Sequence, residues 1–122
     1  MKKTAIAWRA EPKKEEYPSA YRFLSLIQRP KHAKRTIDRL RRAAVSEHKA
    51  IDVLRASREP LLDVTNSHVK EDHNKIVAGE KLSPPMLVRD PRNSRVIIVD
   101  GYHRICAVCS FDEDAGIPCK IV

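Results

Sequence analysis

The run of four apolar residues from Val96 to Val99, followed by Asp100 and Gly101, is the feature that most constrains the fold. Consecutive β-branched residues favour a strand that is buried on both faces. Gly101 permits a backbone bend that is closed to other residues, and the segment from Tyr102 onward predicts a helix. The first turn of such a helix has unpaired N–H groups and the positive end of the helix dipole. The pattern therefore predicts a strand-to-helix turn that suits a phosphate.

Two side chains in the first turn of this predicted helix add chemistry to it. Arg104 can hold phosphate oxygens through two parallel N–H donors, and His103 can donate a hydrogen bond or transfer a proton near neutral pH. The alternative is a structural turn in which Arg104 extends to solvent. From the pattern alone, both interpretations stay open.

The turn resembles the signature of the ParB/sulfiredoxin superfamily. Sulfiredoxins have Gly-Cys-His-Arg at this junction and ParB proteins have Gly-Glu-Arg-Arg, where this chain has Gly101-Tyr102-His103-Arg104. The order of predicted elements over residues 58–122 also follows the family. More specifically, the chain is similar to small ParB-like proteins that contain Leu-Arg-Ala-Ser, here residues 54–57, and end in Asp-Gly-Tyr-His-Arg. The resemblance implies that Gly101, Tyr102, His103 and Arg104 bind a nucleotide phosphate.

Departures from the family pattern limit which activities the resemblance implies. Sulfiredoxins attack their substrate through the cysteine of the turn, and Tyr102 stands at that position here, so sulfiredoxin activity is excluded. Of the ParB residues only Arg104 is retained directly, so nucleotide binding carries over and CTP hydrolysis does not follow.

The helix that precedes the signature is a second source of candidate residues. In sulfiredoxins this helix contacts the nucleotide. The matching positions in this chain, counted back from Pro84-Pro85, are His68, Glu71 and Lys75, and their spacings of three and four residues place them on one face of the helix. The alternative is an exposed polar face. The resemblance implies phosphate contacts from His68 and Lys75, and a further one from Lys81. It also implies that Glu71 or Asp72 acts as a general base or as a Mg²⁺ ligand. The expected catalytic residues are therefore Glu71, Asp72 and His103. The first functional hypothesis is thus a nucleotide- or phosphate-binding protein with NTPase or phosphotransfer activity, using Mg²⁺ with a nucleoside phosphate.

The excess positive charge, which gives the chain a net charge of +8, lies entirely in its first half. Residues 1–57 contain 15 Lys and Arg against 6 Asp and Glu, whereas residues 58–122 contain 9 against 10. A predicted basic helix, residues 31–42, could meet nucleic acid phosphates or an acidic partner, and a solvated helix face is the alternative. The second hypothesis is therefore a non-enzymatic DNA-, RNA- or partner-binding module that acts through Lys34, Arg35, Arg39, Arg41 and Arg42.

The periodicity of the chain predicts an α+β fold. We expect an arm over residues 1–16, about three helices over residues 17–57, and a ParB/sulfiredoxin-like domain over residues 58–122 with a small mixed sheet of about four strands. Ser46 is the expected N-cap of the third helix, and Gly79 the stop of the helix before the signature. The predicted strands are Leu61–Val64, Met86–Arg89, Arg95–Val99 and Ile117–Val122, and the predicted later helices cover residues 67–78 and 102–111.

The three cysteines indicate the redox state of the cellular compartment. An odd number cannot all pair, which favours a reducing, cytoplasmic environment. A zinc site from Cys106, Cys109, Cys119 and His103 is the weaker interpretation, because Cys106 and Cys109 have the spacing of a core-facing helix. We therefore expect no metal ligands and, since no apolar run approaches the roughly 20 residues of a membrane span, no membrane partner.

Overall fold

The computed structural model describes residues 5–122, so the first four residues of the predicted arm lie outside the described residues. The described chain alternates helices and strands, and a short 3-10 turn at Pro91–Asn93 joins the second strand to the third. The elements are α1 (Glu16–Leu24), α2 (Pro30–Arg42), β1 (Val45–Lys49), α3 (Ala50–Ser57), α4 (Ser67–Val77), β2 (Met86–Asp90), β3 (Arg95–Asp100), α5 (Tyr102–Phe111) and β4 (Gly116–Ile121).

The four strands form one mixed sheet in the order β1-β4-β2-β3. β2 and β3 form an antiparallel hairpin in which Val88 pairs with Ile97, as the sequence predicts. β4 returns parallel to β2 after α5, and β1 pairs antiparallel with β4. The α+β class and a small mixed sheet of four strands are therefore confirmed.

Two predictions about the strands and helices are wrong. Leu61–Val64 is a loop rather than a strand, because Asp63 turns the chain by accepting a hydrogen bond from the backbone N–H of Thr65 (2.9 Å). The fourth strand is instead β1, which occupies the free edge of β4. Ser46 lies inside this strand, where its hydroxyl bonds the ring of His48 (2.9 Å), so α3 begins at Ala50 and Ser46 is no N-cap.

Helices cover both faces of the sheet. On one face, α1 and α2 pack against Met86, Val88 and Val99. On the other face, α3, α4 and α5 pack against Leu87 and Ile117. The central strands β2 and β4 are thereby covered on both faces. The apolar run at residues 96–99 lies instead in the outer strand β3, where Val99 is buried and Val96, Ile97 and Ile98 are half-buried, so the predicted burial of this strand on both faces is only partial. No helix within residues 5–122 has the length and apolar character needed to cross a membrane.

The helices that carry the candidate site begin and end where local chemistry dictates. Asn66 caps α4, since its side chain accepts hydrogen bonds from the backbone N–H groups of His68 (3.0 Å) and Val69 (3.1 Å). Gly79 follows α4 with a φ of +76°, and Gly101 precedes α5 with a φ of +99°. The predicted positions of both glycines are confirmed.

Candidate functional site

Arg104 lies between two carboxylates instead of extending to solvent. Its Nη2 is 2.7 Å from Oδ2 of Asp100, and its Nη1 is 3.5 Å from Oε1 of Glu16. The three side chains are between 13% and 17% exposed, so this ion-pair cluster is largely shielded from water. The structure therefore offers no free guanidinium at the turn.

Gly101 is required by this arrangement in two ways. Its φ of +99° disfavours any residue with a Cβ, and a Cβ there would lie 2.7 Å from Nη2 of Arg104 and 3.0 Å from Cβ of Pro85. The guanidinium thus folds back over the turn at the beginning of α5. The Asp-Gly pair and the arginine form one packed unit.

Two polar atoms of this unit are buried and have no hydrogen-bond partner among the residues that the structure describes, namely Nε of Arg104 and Oε2 of Glu16. Burial raises the pKa of Glu16, although the positive charge of Arg104 opposes that shift. Since unpaired buried polar atoms are costly, Nε of Arg104 is a donor that one further acceptor could satisfy.

Two histidines meet where α4 and α5 begin. His68 lies in the first turn of α4 and His103 in the first turn of α5, and their ring centroids are 4.9 Å apart. The Asn66 side chain accepts hydrogen bonds from two N-terminal N–H groups of α4, whereas no side chain within residues 5–122 caps those of α5. Free donors at the start of α5 thus lie beside two imidazole rings.

Tyr102 anchors the beginning of α5. Its hydroxyl donates a hydrogen bond to the carbonyl of Pro60, which ties α5 to the loop before α4. Burial, with a further contribution from Cys106, raises the pKa of Tyr102 to about 12. A phenol held in its neutral form by such contacts serves packing rather than proton transfer near neutral pH.

The other predicted site residues, in α4 and in the segment that follows it, differ in their exposure to solvent. Asp72 is 14% exposed and its carboxylate lies 3.8 Å from Nζ of Lys75. Burial raises the pKa of Asp72, and the nearby charges of Lys75, Arg104 and His103 oppose the shift, so Asp72 faces the α5 cluster. Glu71 and Lys81 are exposed. No ion pair or hydrogen bond among the described residues connects Lys81 with the cluster.

The cysteines lie in the core and are free thiols. Burial raises the pKa of Cys109 to about 11 and that of Cys119 to about 12, so both are protonated near neutral pH. Within residues 5–122, no group of three or more His, Cys, Asp or Glu side chains is placed to hold a metal ion.

The predicted nucleic-acid contacts lie on the solvent side of α2. Ala33, Ile37 and Leu40 form its buried face, and the cations occupy the remaining surface. Arg41 stacks over the ring of Tyr17 at 4.5 Å, beside a cleft of about 270 Å³ between α1 and α2. The exposed cations include Lys34, Arg35, Arg39, Arg41 and Arg42, and none of them forms an ion pair with another described residue.

Two buried charged residues are absent from the sequence predictions. Glu16 contacts Arg104 from α1, and no local pattern indicates this pairing. Lys120 is 1% exposed, and its Nζ binds the carbonyl of Arg41 at 2.9 Å and the carboxylate of Glu11 at 2.8 Å. A lysine within a buried apolar strand is the one signal that could have indicated such a contact.

Comparison of the chain with protein-family models, with curated proteins and with solved structures gives no match. The assignment of a function therefore depends on the geometry described above and on the resemblance of the signature turn.

Proposed function

We propose that the chain is a ParB/sulfiredoxin-like protein that binds a nucleoside phosphate where α4 and α5 begin. The observation that carries this proposal is the meeting of His68 and His103, with ring centroids 4.9 Å apart, beside the uncapped N-terminus of α5. Two imidazole donors and free backbone N–H groups that converge from two helices suit an anion of the size of phosphate. The Gly101-Tyr102-His103-Arg104 signature supports the same site.

The proposed roles follow from exposure and charge. His68, His103 and the first N–H groups of α5 contact the phosphate, and Lys75 lies at the rim. Arg104 is a positioning residue, since the carboxylates of Asp100 and Glu16 hold its guanidinium. It shapes the turn and keeps the N–H groups of α5 in place.

Mg²⁺ fits this site as a companion of the nucleotide. Mg²⁺ keeps several waters and binds through one or two carboxylates together with phosphate oxygens, so it needs no cage of protein ligands. Asp72 suits that role better than Glu71, because it faces His103 and Arg104 while Glu71 is exposed. With Mg²⁺ and nucleotide bound, Asp72 and His103 are the proposed groups for NTPase or phosphotransfer chemistry.

Titration calorimetry with CTP, ATP and ADP, each with Mg²⁺, tests the site. We expect micromolar binding of one nucleotide, at least tenfold weaker in His103→Ala and in His68→Ala. His48→Ala, at an exposed histidine of β1, is the matched control and should bind normally. The Arg104→Ala variant should also lose binding, but it leaves two carboxylates unpaired, so the histidine variants are the sharper test. Absence of binding, or binding that is indifferent to both histidines, would refute the proposal.

The basic face of α2 supports a second candidate function, binding of nucleic acid. The observation that favours it is the lack of carboxylate partners for these cations among the described residues, together with the stacking of Arg41 on Tyr17. Unpaired cations on one helix are the electrostatic footprint of a phosphate backbone ligand.

Salt-dependent binding to duplex DNA and to single-stranded RNA tests this candidate. Each lost phosphate contact should reduce the slope of log affinity against log salt by about 0.9 on duplex DNA. Combined substitution of Arg35, Arg39 and Arg42 by Gln should weaken binding, and the control with the same change of charge replaces the exposed residues Arg58, Lys70 and Arg92. If the two triple variants lose the same amount of nucleic-acid affinity, the binding depends on net charge alone, and the basic face of α2 is not the binding surface.

We also propose a cytoplasmic location, because three buried free thiols fit a reducing compartment.

A further inference from the structure

The outer strand β3 has an open hydrogen-bonding edge. The sheet ends at β3, and its inner neighbour β2 pairs Val88 with Ile97. Because the backbone groups of successive residues point to opposite sides of an antiparallel strand, Val96 and Ile98 direct their N–H and C=O groups away from β2. No other described segment forms a backbone hydrogen bond with these two residues. Such an edge is a template for a further strand.

An apolar groove follows this edge. It has a volume of about 300 Å³ and runs between the end of α1 and the end of α3, with β3 as its floor. Phe23 and Ile27 line its α1 side and are 40% and 53% exposed, and the adjoining Leu26 is 84% exposed. Exposed apolar side chains that adjoin an open strand edge indicate a surface used for association.

The charges along the groove indicate which strand fits it. Arg95 lies at the start of β3, and Glu59 lines the same groove together with Tyr102, which follows the end of β3. An antiparallel partner with the same sequence would place its own Arg95 near this Glu59, and the reverse contact would form at the other end. The edge is therefore complementary to itself, as a two-fold interface requires.

We propose that β3 pairs antiparallel with β3 of a second copy of this chain, which joins the two sheets into one. The two-fold axis then passes through the middle of β3, and Phe23, Leu26 and Ile27 of the two copies cover each other beside the joined edges. Backbone hydrogen bonds give the pairing its register, and the apolar residues at the end of each α1 contribute buried area.

Sedimentation velocity over a wide range of protein concentrations tests the proposal. We expect a concentration-dependent dimer for the unaltered chain and a monomer for Ile27→Lys, which places a charge in the apolar contact. Val77→Lys is the matched control, because Val77 is 64% exposed on α4, away from the groove, and this variant should dimerise normally. A chain that stays monomeric at every concentration would overturn the proposal, as would a dimer that Ile27→Lys leaves intact.

Charge reversal tests the orientation of the pair. Glu59→Arg and Arg95→Glu should each weaken the dimer by about threefold or more, and the double variant should recover most of the loss. Arg95 also bonds Asp90 at 3.1 Å, so thermal unfolding of each variant checks that the hairpin is intact. If Arg95→Glu unfolds, Glu59→Arg mixed with the unaltered chain still measures the contact. A dimer unaffected by Glu59→Arg would overturn the antiparallel arrangement.

Discussion

Replacement of Gly101 by Ala should cost much more stability than the same replacement at Gly79. Both glycines have positive φ, +99° and +76°, so each alanine incurs about 1–2 kcal/mol for the left-handed backbone. At Gly79 no atom of the described chain lies within 4 Å of the new Cβ, so the backbone cost is the whole cost. At Gly101 the Cβ lies 2.7 Å from Nη2 of Arg104 and 3.0 Å from Cβ of Pro85, so the guanidinium must shift and its hydrogen bond to Asp100 is strained.

The hydrogen bond between Arg104 and Asp100 sets the upper limit of the difference. A hydrogen bond between charged groups contributes about 1.5–3 kcal/mol. Gly101→Ala should therefore lower the free energy of unfolding by up to about 5 kcal/mol, against about 1–2 kcal/mol for Gly79→Ala. For a domain whose total stability is about 5–15 kcal/mol, the first variant would be partly unfolded under mild heating.

Urea denaturation followed by circular dichroism measures both variants. A double-mutant cycle with Arg104→Ala isolates the clash, because without the guanidinium the cost of Gly101→Ala should fall toward that of Gly79→Ala. Equal costs for the two glycine variants, or a cycle in which the effects of Gly101→Ala and Arg104→Ala simply add, would refute the packed unit of Asp100, Gly101 and Arg104.

Three further predictions concern buried groups. Lys120→Met should destabilise the protein by about 1–3 kcal/mol in urea denaturation, because the carbonyl of Arg41 loses its donor. Burial opposes the charge of Lys120, yet Glu11 raises the pKa of this lysine above its ordinary value of 10.5. The stability that the charged lysine contributes is therefore complete below pH 10.5 and is lost as the pH rises through the folded-state pKa. The Lys120→Met variant should not show this alkaline loss of stability. The three thiols should resist alkylation at pH 8 in the native state and react after denaturation, and fast native labelling would contradict their burial. Tyr102→Phe should cost about 1 kcal/mol and speed hydrogen exchange in the loop at Pro60, which an unchanged exchange rate would refute.

The sequence predicts best those elements that local chemistry determines. The β2–β3 hairpin, α4 and α5 lie close to their predicted positions, because each is bounded by a residue with a specific backbone role. Asn66 accepts two N–H bonds at the start of α4, and Gly79 and Gly101 take positive φ values that other residues resist. Signals of this kind depend on a few adjacent residues and need no knowledge of the tertiary structure.

The wrong prediction of a strand at Leu61–Val64 shows what local signals do not determine. Val45–Lys49 becomes a strand because β4 offers it a free edge, and Leu61–Val64 has no such neighbour and stays a loop. Both segments have too few residues to reveal a periodicity, so the available partner decides between strand and loop. A single sequence does not show which strands will be neighbours before the fold is known.

The candidate site has the same mixture of local and distant origins. The resemblance of the signature turn implies that His68 and His103 share a site, and the structure brings their rings together. The contact between Arg104 and Glu16 joins α5 to α1, far apart in the sequence. The sequence therefore indicates where an arginine lies and leaves open whether its charge is free.

The balance of charges around α5 suggests which form of ligand the site accepts. Glu16, Asp72 and Asp100 are three largely buried carboxylates, and Arg104 and Lys75 are the cations paired with them. A bare phosphate adds further negative charge to this cluster, whereas Mg²⁺ bound to the nucleotide offsets it. Affinity should therefore fall when Mg²⁺ is removed by chelation. Because burial raises the pKa values of Glu16 and Asp72, part of that loss should be recovered as the pH falls toward the acidic range and these carboxylates take up protons. Calorimetry with and without Mg²⁺ at two pH values measures both effects, and an affinity independent of Mg²⁺ would show that the carboxylates do not face the bound anion.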